Sequence, residues 1–196
     1  MKIRLRDMMD NSVLAGAGNG KSAFAALLAA TGPEPAEPLP LFIDFSDVDI
    51  ATASFLREPV FGFKNYMRTI DSLHYPVVAN ANASVLDELA IIAEARRDAV
   101  AVCDLEEGEN AHNARIIGDL DAKQALTLQL VIEMNGADAA GLMQKYGAAE
   151  KTTSTTAWNN RLAALANRGL VREFARGRAK YYRPIFEEMR KWALNY

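Results

Sequence analysis

The chain has 196 residues, half of them apolar and about a quarter charged, which excludes wholesale disorder and suits one large domain or two small ones. No apolar run approaches the ~18–20 residues that cross a bilayer, and a single cysteine and two histidines exclude an internal disulfide and argue against Cys/His metal chemistry. The net charge of −3 conceals a division, since residues 1–144 carry −10 and residues 145–196 carry +7, the pattern of an acidic body with a basic end suited to nucleic acid.

Met1 to Met9 alternates Ile3 and Leu5 with Lys2, Arg4 and Arg6, which predicts a short strand. It lacks the continuous apolar core of a signal peptide, so a cytoplasmic location without membrane attachment is expected. A glycine-rich turn, Ala15 to Gly20, precedes a helix over Lys21 to Ala30 that Gly32 and Pro33 stop. Four of the seven prolines fall between Pro33 and Pro40, which reads as an extended loop. Leu41 to Phe45 is apolar enough for a strand buried on both faces. Ser54 can cap a helix carrying Phe55, Leu56, Val60, Phe61, Phe63, Tyr66, Met67 and Ile70, with Pro59 marking its start or a kink.

The alternation then repeats: strand Tyr75 to Asn80, a helix Val85 to Arg97 led by Ser84, strand Ala99 to Cys103, the acidic run Asp104 to Glu109, and a last short strand, Ala114 to Ile117. Strands and helices of these lengths imply an α/β layer, a small sheet flanked by crossover helices. The domain boundary is expected near Gly118, giving domains 1–118 and 119–196.

From Asp119 the period is helical. Ala125 to Met134 is a strongly apolar helix closed by Asn135-Gly136, Ala139 to Tyr146 is a second and Thr152 to Asn167 a third. Val171 to Phe174 and Ala179 to Tyr182 read as two strands joined by a turn containing Gly177, and Pro184 opens a final helix with Phe186, Met189, Trp192 and Leu194. In the third helix Trp158, Leu162 and Leu165 share one face, while Thr153, Thr156, Asn160, Ala163, Ala164 and Asn167 point the other way, with Asn159 beside them.

Three helices followed by a two-stranded ribbon resemble the winged helix-turn-helix family over Asp121 to Pro184, most specifically in Ser154 to Val171, where polar residues lead a helix with spaced leucines that turns through Gly169-Leu170-Val171 into a strand. The fold this implies is an α+β winged-helix domain. Hydroxyls and amides hydrogen-bond base edges or phosphates, and Arg172, Arg176, Arg178, Lys180 and Arg183 of the ribbon suit phosphate or minor-groove contact. Double-stranded DNA is therefore the expected partner, bound by Thr153, Thr156, Asn159, Asn160, Asn167 and those five basic residues. RNA is disfavoured by the lack of an evident exposed stacking platform.

Two motifs compete in the first domain. Ala15-Gly16-Ala17-Gly18-Asn19-Gly20-Lys21-Ser22 satisfies a relaxed phosphate-loop pattern, with Gly20, Lys21 and Ser22 as its anchors. A phosphate loop follows a buried strand, however, and only Val13 and Leu14 precede this one directly, so the plainer reading is a glycine turn opening a surface helix. Leu41 to Leu56, an apolar strand ending in Asp44-Phe45, a turn with Val48, then Thr52-Ala53-Ser54-Phe55 opening a helix, is similar to the STAS-like domains of unknown function found in bacteria. That resemblance, which extends over residues 1–118, implies a small STAS-like sheet with a regulatory role. Ser54 or Thr52 occupies the place that corresponds to the hydroxyl phosphorylated by a partner kinase in the true STAS domains of anti-sigma factor antagonists; the plain alternative is that Ser54 is an N-cap.

Cys103 reads as an inert core thiol, Glu106, Glu107 and Glu109 as a solvated loop, and His112 has no evident nucleophile nearby. The expectation is a non-enzymatic, cofactor-free DNA-binding regulator, with homodimerisation suggested by the paired half-sites common for this class, whose first domain receives a signal or a regulatory protein partner. The alternative is an adaptor that binds partner proteins without DNA, and behind it a small ATP-binding protein.

Overall fold

The computed structural model describes residues 1–106, 110–152, 154–177 and 179–186. It divides into two compact units, Met1–Asp119 and Leu120–Tyr196. In the first, β1 (Lys2–Arg4) is cut short, because the chain turns through one 3-10 turn at Leu5–Asp7 that buries Leu5. After β2 (Val13–Leu14), α1 (Ala17–Ala30) begins four residues before the expected Lys21, with Gly16 at φ 85° as its N-cap. The glycines predicted as a turn form its first turn. β3 (Leu39–Asp44) starts within the proline-rich segment and is followed by β4 (Ile50–Ala51), a two-residue strand beside β2 that has too little pattern to be seen in sequence.

The next helix opens as α2 (Ala53–Leu56), widens into π turns over Arg57–Gly62 and resumes as α3 (Phe63–Thr69). Pro59 lies inside the widened stretch, where its missing N–H is tolerated and its effect is a change of helical pitch. β5 (His74–Ala79), α4 (Ala83–Arg96), β6 (Ala99–Leu105) and β7 (Ala111–Gly118) complete the unit. Asn82, two residues before the expected Ser84, caps α4 by accepting the Val85 N–H at 3.0 Å.

The sheet order is β1-β3-β5-β6-β7, with the first four strands parallel and β7 antiparallel. Each parallel connection advances one place in the same direction, so crossovers of one hand carry α1, α2–α3 and α4 over one face. Packing agrees, since Ile3, Ile43, Val78 and Val102 form a register row across four strands and belong to one buried cluster with Leu27, Phe55, Phe61, Phe63 and Leu89. Burying such side chains is worth roughly 1.5–3 kcal/mol each. At the carboxyl ends of the strands a polar knot ties the sheet together. Asp44, 2 % exposed, accepts from the Ser46 N–H, the Ser46 hydroxyl and Asn80 Nδ2, while Asn80 Oδ1 accepts the Leu105 N–H.

The second unit starts with α5 (Ala122–Glu133), whose Asp121 cap accepts from the N–H groups of Lys123 and Gln124. Asn135 and Gly136, both at positive φ, turn the chain so that Ala137 pairs with Tyr182 as a single antiparallel bridge. α6 (Ala139–Tyr146) and α7 (Thr155–Asn167) follow, then the ribbon of β8 (Val171–Arg176) and β9 (Ala179–Pro184) around Gly177 at φ 64°. Leu128, Val131, Leu142, Trp158, Leu162, Leu165, Val171 and Tyr182 are its core. Pro184 pairs with Val171 and closes β9 rather than opening a helix, and the predicted helical residues Met189, Trp192 and Leu194 lie outside the described residues.

Candidate nucleic-acid interface

At 100° per residue, Trp158, Leu162, Leu165 and Ala166 hold α7 to its unit, and all four are buried. Trp158 is anchored at its polar end too, because its indole N–H donates to Thr152 Oγ1 at 3.0 Å across the turn that enters α7. The opposite arc, about 100° wide, carries Asn159, Ala163, Thr156, Asn167 and Asn160, with Thr156, both consecutive asparagines and Asn167 exposed. Thr155, Asn159, Asn160 and Ala163 line one wall of an open cleft of about 540 Å³; Asp138 to Ala140 at the start of α6 form a second wall, and Ala179, Lys180 and Tyr182 of β9 a third. Asp138 is engaged there as the α6 cap, accepting the Gly141 N–H at 2.7 Å.

The ribbon separates the predicted basic residues. Its register pairs Val171 with Pro184, Glu173 with Tyr182 and Ala175 with Lys180 on one face, and Arg172 with Arg183 and Phe174 with Tyr181 on the other. Val171, Tyr182 and Pro184 are buried, so the first face is the inner one, and Lys180 alone of the described ribbon cations stands on it, 2.8 Å from Glu173. Arg172, Arg176 and Arg183 occupy the outer face as a ladder with the two rings. Arg183 lies 5.2 Å from the Phe174 ring and 5.9 Å from the Tyr181 ring, and Arg176 lies 5.4 Å from that of Tyr181. Arg172 Nε donates to the Pro184 carbonyl at 3.0 Å. Strand alternation thus sends Lys180 and the three described arginines to opposite sides of the ribbon. Thr153 and Arg178 lie outside the described residues.

In the first unit, Thr52 rather than Ser54 is the residue before the helix, and neither hydroxyl caps it. The Ala53 N–H instead donates to Glu88 Oε2 of α4 at 2.9 Å, while the Thr52 and Ser54 hydroxyls lie 3.1 Å apart at the surface. A carboxylate supplied by another helix was not legible locally, since 35 residues separate the pair.

The phosphate-loop pattern has no phosphate-loop shape. Gly18 to Ser22 are already inside α1, where the Gly20 N–H donates to the Gly16 carbonyl instead of facing an open cradle. Lys21 and Ser22 are exposed on the helix surface. Glu107 and Glu109 of the acidic run lie outside the described residues, and no group of three or more His, Cys, Asp or Glu suited to a metal ion occurs among the described residues. Among those residues no helix is long and apolar enough to cross a membrane. No family model, curated protein or solved structure matches the chain.

Proposed function

We propose that the chain is a DNA-binding regulator, with a winged helix-turn-helix in its second unit and a STAS-like first unit that receives a signal or a partner protein. The element order of the second unit supports this reading, as does the single bridge that ties Ala137 to Tyr182 of β9. The observation that carries it is the exposed polar arc of α7, flanked by the start of α6 and by Lys180 across an open cleft. A helix bearing small and polar side chains can lie close in a major groove, where hydroxyls and carboxamides meet base edges. Titration of the full chain with duplex DNA by fluorescence anisotropy at two salt concentrations tests it. Binding that weakens steeply as salt rises is expected, and no binding at low salt would remove the reading.

A second reading, a protein-binding adaptor, draws support from the first unit. Val13 and Ile50 face each other across β2 and β4, both close to half exposed, and Thr52 and Ser54 follow directly. An apolar pair beside two surface hydroxyls suits a partner surface whose affinity phosphorylation would change. Co-purification of a kinase-like partner together with indifference to duplex DNA would favour it.

A further inference from the structure

We infer that α7 selects A·T base pairs and presents no Arg or Lys on its exposed arc to read guanine, an inference that rests on the duplex-binding reading above. In the major groove the commonest guanine contact is an Arg or Lys on O6 and N7, adenine is matched by a carboxamide on N6 and N7, and the thymine methyl is met by small apolar groups. The cation within α7 is Arg161, and it is turned from the exposed arc. Its guanidinium lies 4.7 Å from the Trp158 ring and 3.3 Å from Glu150 Oε2, with a side chain only 10 % exposed. Arg168, just past the helix, donates to Gln124 Oε1 at 2.7 Å. Lys180 borders the cleft from the ribbon, outside α7, where it suits a phosphate.

The arc itself offers the carboxamides of Asn159 and Asn160, the hydroxyl of Thr156 and the methyl of Ala163. Consecutive helical residues diverge by about 100°, so the two asparagines flank Ala163 and Thr156 and address different base pairs. Ala163, with no reach of its own, lets the helix backbone come close between them. The groups that tell one base pair from another are therefore matched to adenine and to the thymine methyl.

Selection of sites from a pool of randomised duplexes, using the full chain, tests this. Enriched half-sites should contain A·T pairs at two nearby positions and no obligatory guanine. Asn159→Ala and Asn160→Ala should each flatten the preference at one position about tenfold, and Asn160→Arg should move that position towards guanine. Sites anchored on guanine would overturn the inference while leaving duplex binding intact. Failure to bind any duplex at low salt would instead overturn the duplex-binding reading, and this inference with it.

Discussion

A β-carbon on Gly20 would stand 2.6 Å from the carbonyl oxygen of Phe55, closer than packed atoms allow. The glycine that completes a phosphate-loop pattern is therefore required by helix packing, where α1 crosses the start of the α2–α3 helix. Gly18, one half-turn earlier, has nothing within 4 Å of its would-be β-carbon.

The two glycines should respond oppositely to alanine. Gly20→Ala should lower stability by about 1–3 kcal/mol through overpacking against backbone, whereas Gly18→Ala should raise it by about 0.5–1 kcal/mol by restricting the unfolded chain. Thermal unfolding followed by far-ultraviolet circular dichroism measures both. Lys21→Ala should leave stability unchanged, and calorimetry with ATP and magnesium should detect no binding to either form.

Lys64 is 1 % exposed, yet its ammonium is held by Asp98 Oδ1 at 2.7 Å and the Ala99 carbonyl at 2.6 Å, tying α3 to the start of β6. Asp98→Ala strands a buried cation and should cost about 3–5 kcal/mol. Lys64→Met replaces the stem with a similar volume and leaves Asp98, which is partly exposed, able to hydrate, so its cost should be smaller. Denaturant unfolding of the two variants gives the order, and a reversed order would contradict a buried ammonium.

Burial pushes the Cys103 thiol up to about 12, with the Asp104 and Asp44 carboxylates adding to the effect. At pH 8 roughly one folded molecule in ten thousand carries the thiolate, so a disulfide reagent should label Cys103 only after denaturation. In the unfolded chain the thiol ionises near 9. Between about 9 and 12 the folded state therefore binds more protons than the unfolded state, and this group's contribution to stability falls as pH rises through that window. Cys103→Ala should flatten that part of the stability profile.

Under the duplex-binding reading, the two faces of the ribbon should be functionally unequal. Lys180→Ala should weaken binding and lower the salt slope by about one unit. Arg183→Ala, on the outer face beside Phe174 and Tyr181, should change affinity less than about twofold, in the manner of a cation remote from the backbone. Anisotropy at three salt concentrations separates them, and equal losses would mean that the duplex reaches both faces.

Thr152→Val removes the acceptor of a fully buried indole N–H and should cost about 1–3 kcal/mol, while Thr152→Ser retains it and should cost less. Unfolding curves of the two variants compare an unsatisfied donor with a satisfied one.

Much of the architecture was legible because it is locally encoded. The strand over Leu41 to Phe45, the helix over Val85 to Arg97 and the arc of α7 follow from hydrophobic periodicity, which a few neighbouring residues specify. The failures share a cause. β2 and β4 are two residues long and exist by pairing with each other, the start of α1 was hidden because glycines read as a turn, and Ser54 lost its capping role to a distant carboxylate.

Local pattern alone sufficed for the change from strand–helix alternation to a helical stretch, for the acidic-to-basic division of charge, and for the polar and apolar sides of α7. Tertiary contact determined the rest: that Gly20 serves a helix crossing, that Glu88 satisfies the Ala53 N–H, and that the ribbon face carrying Lys180 is the inner one. Side-chain periodicity tells which residues share a face, but which face is turned inward depends on what packs against it, and that partner lies far away along the chain.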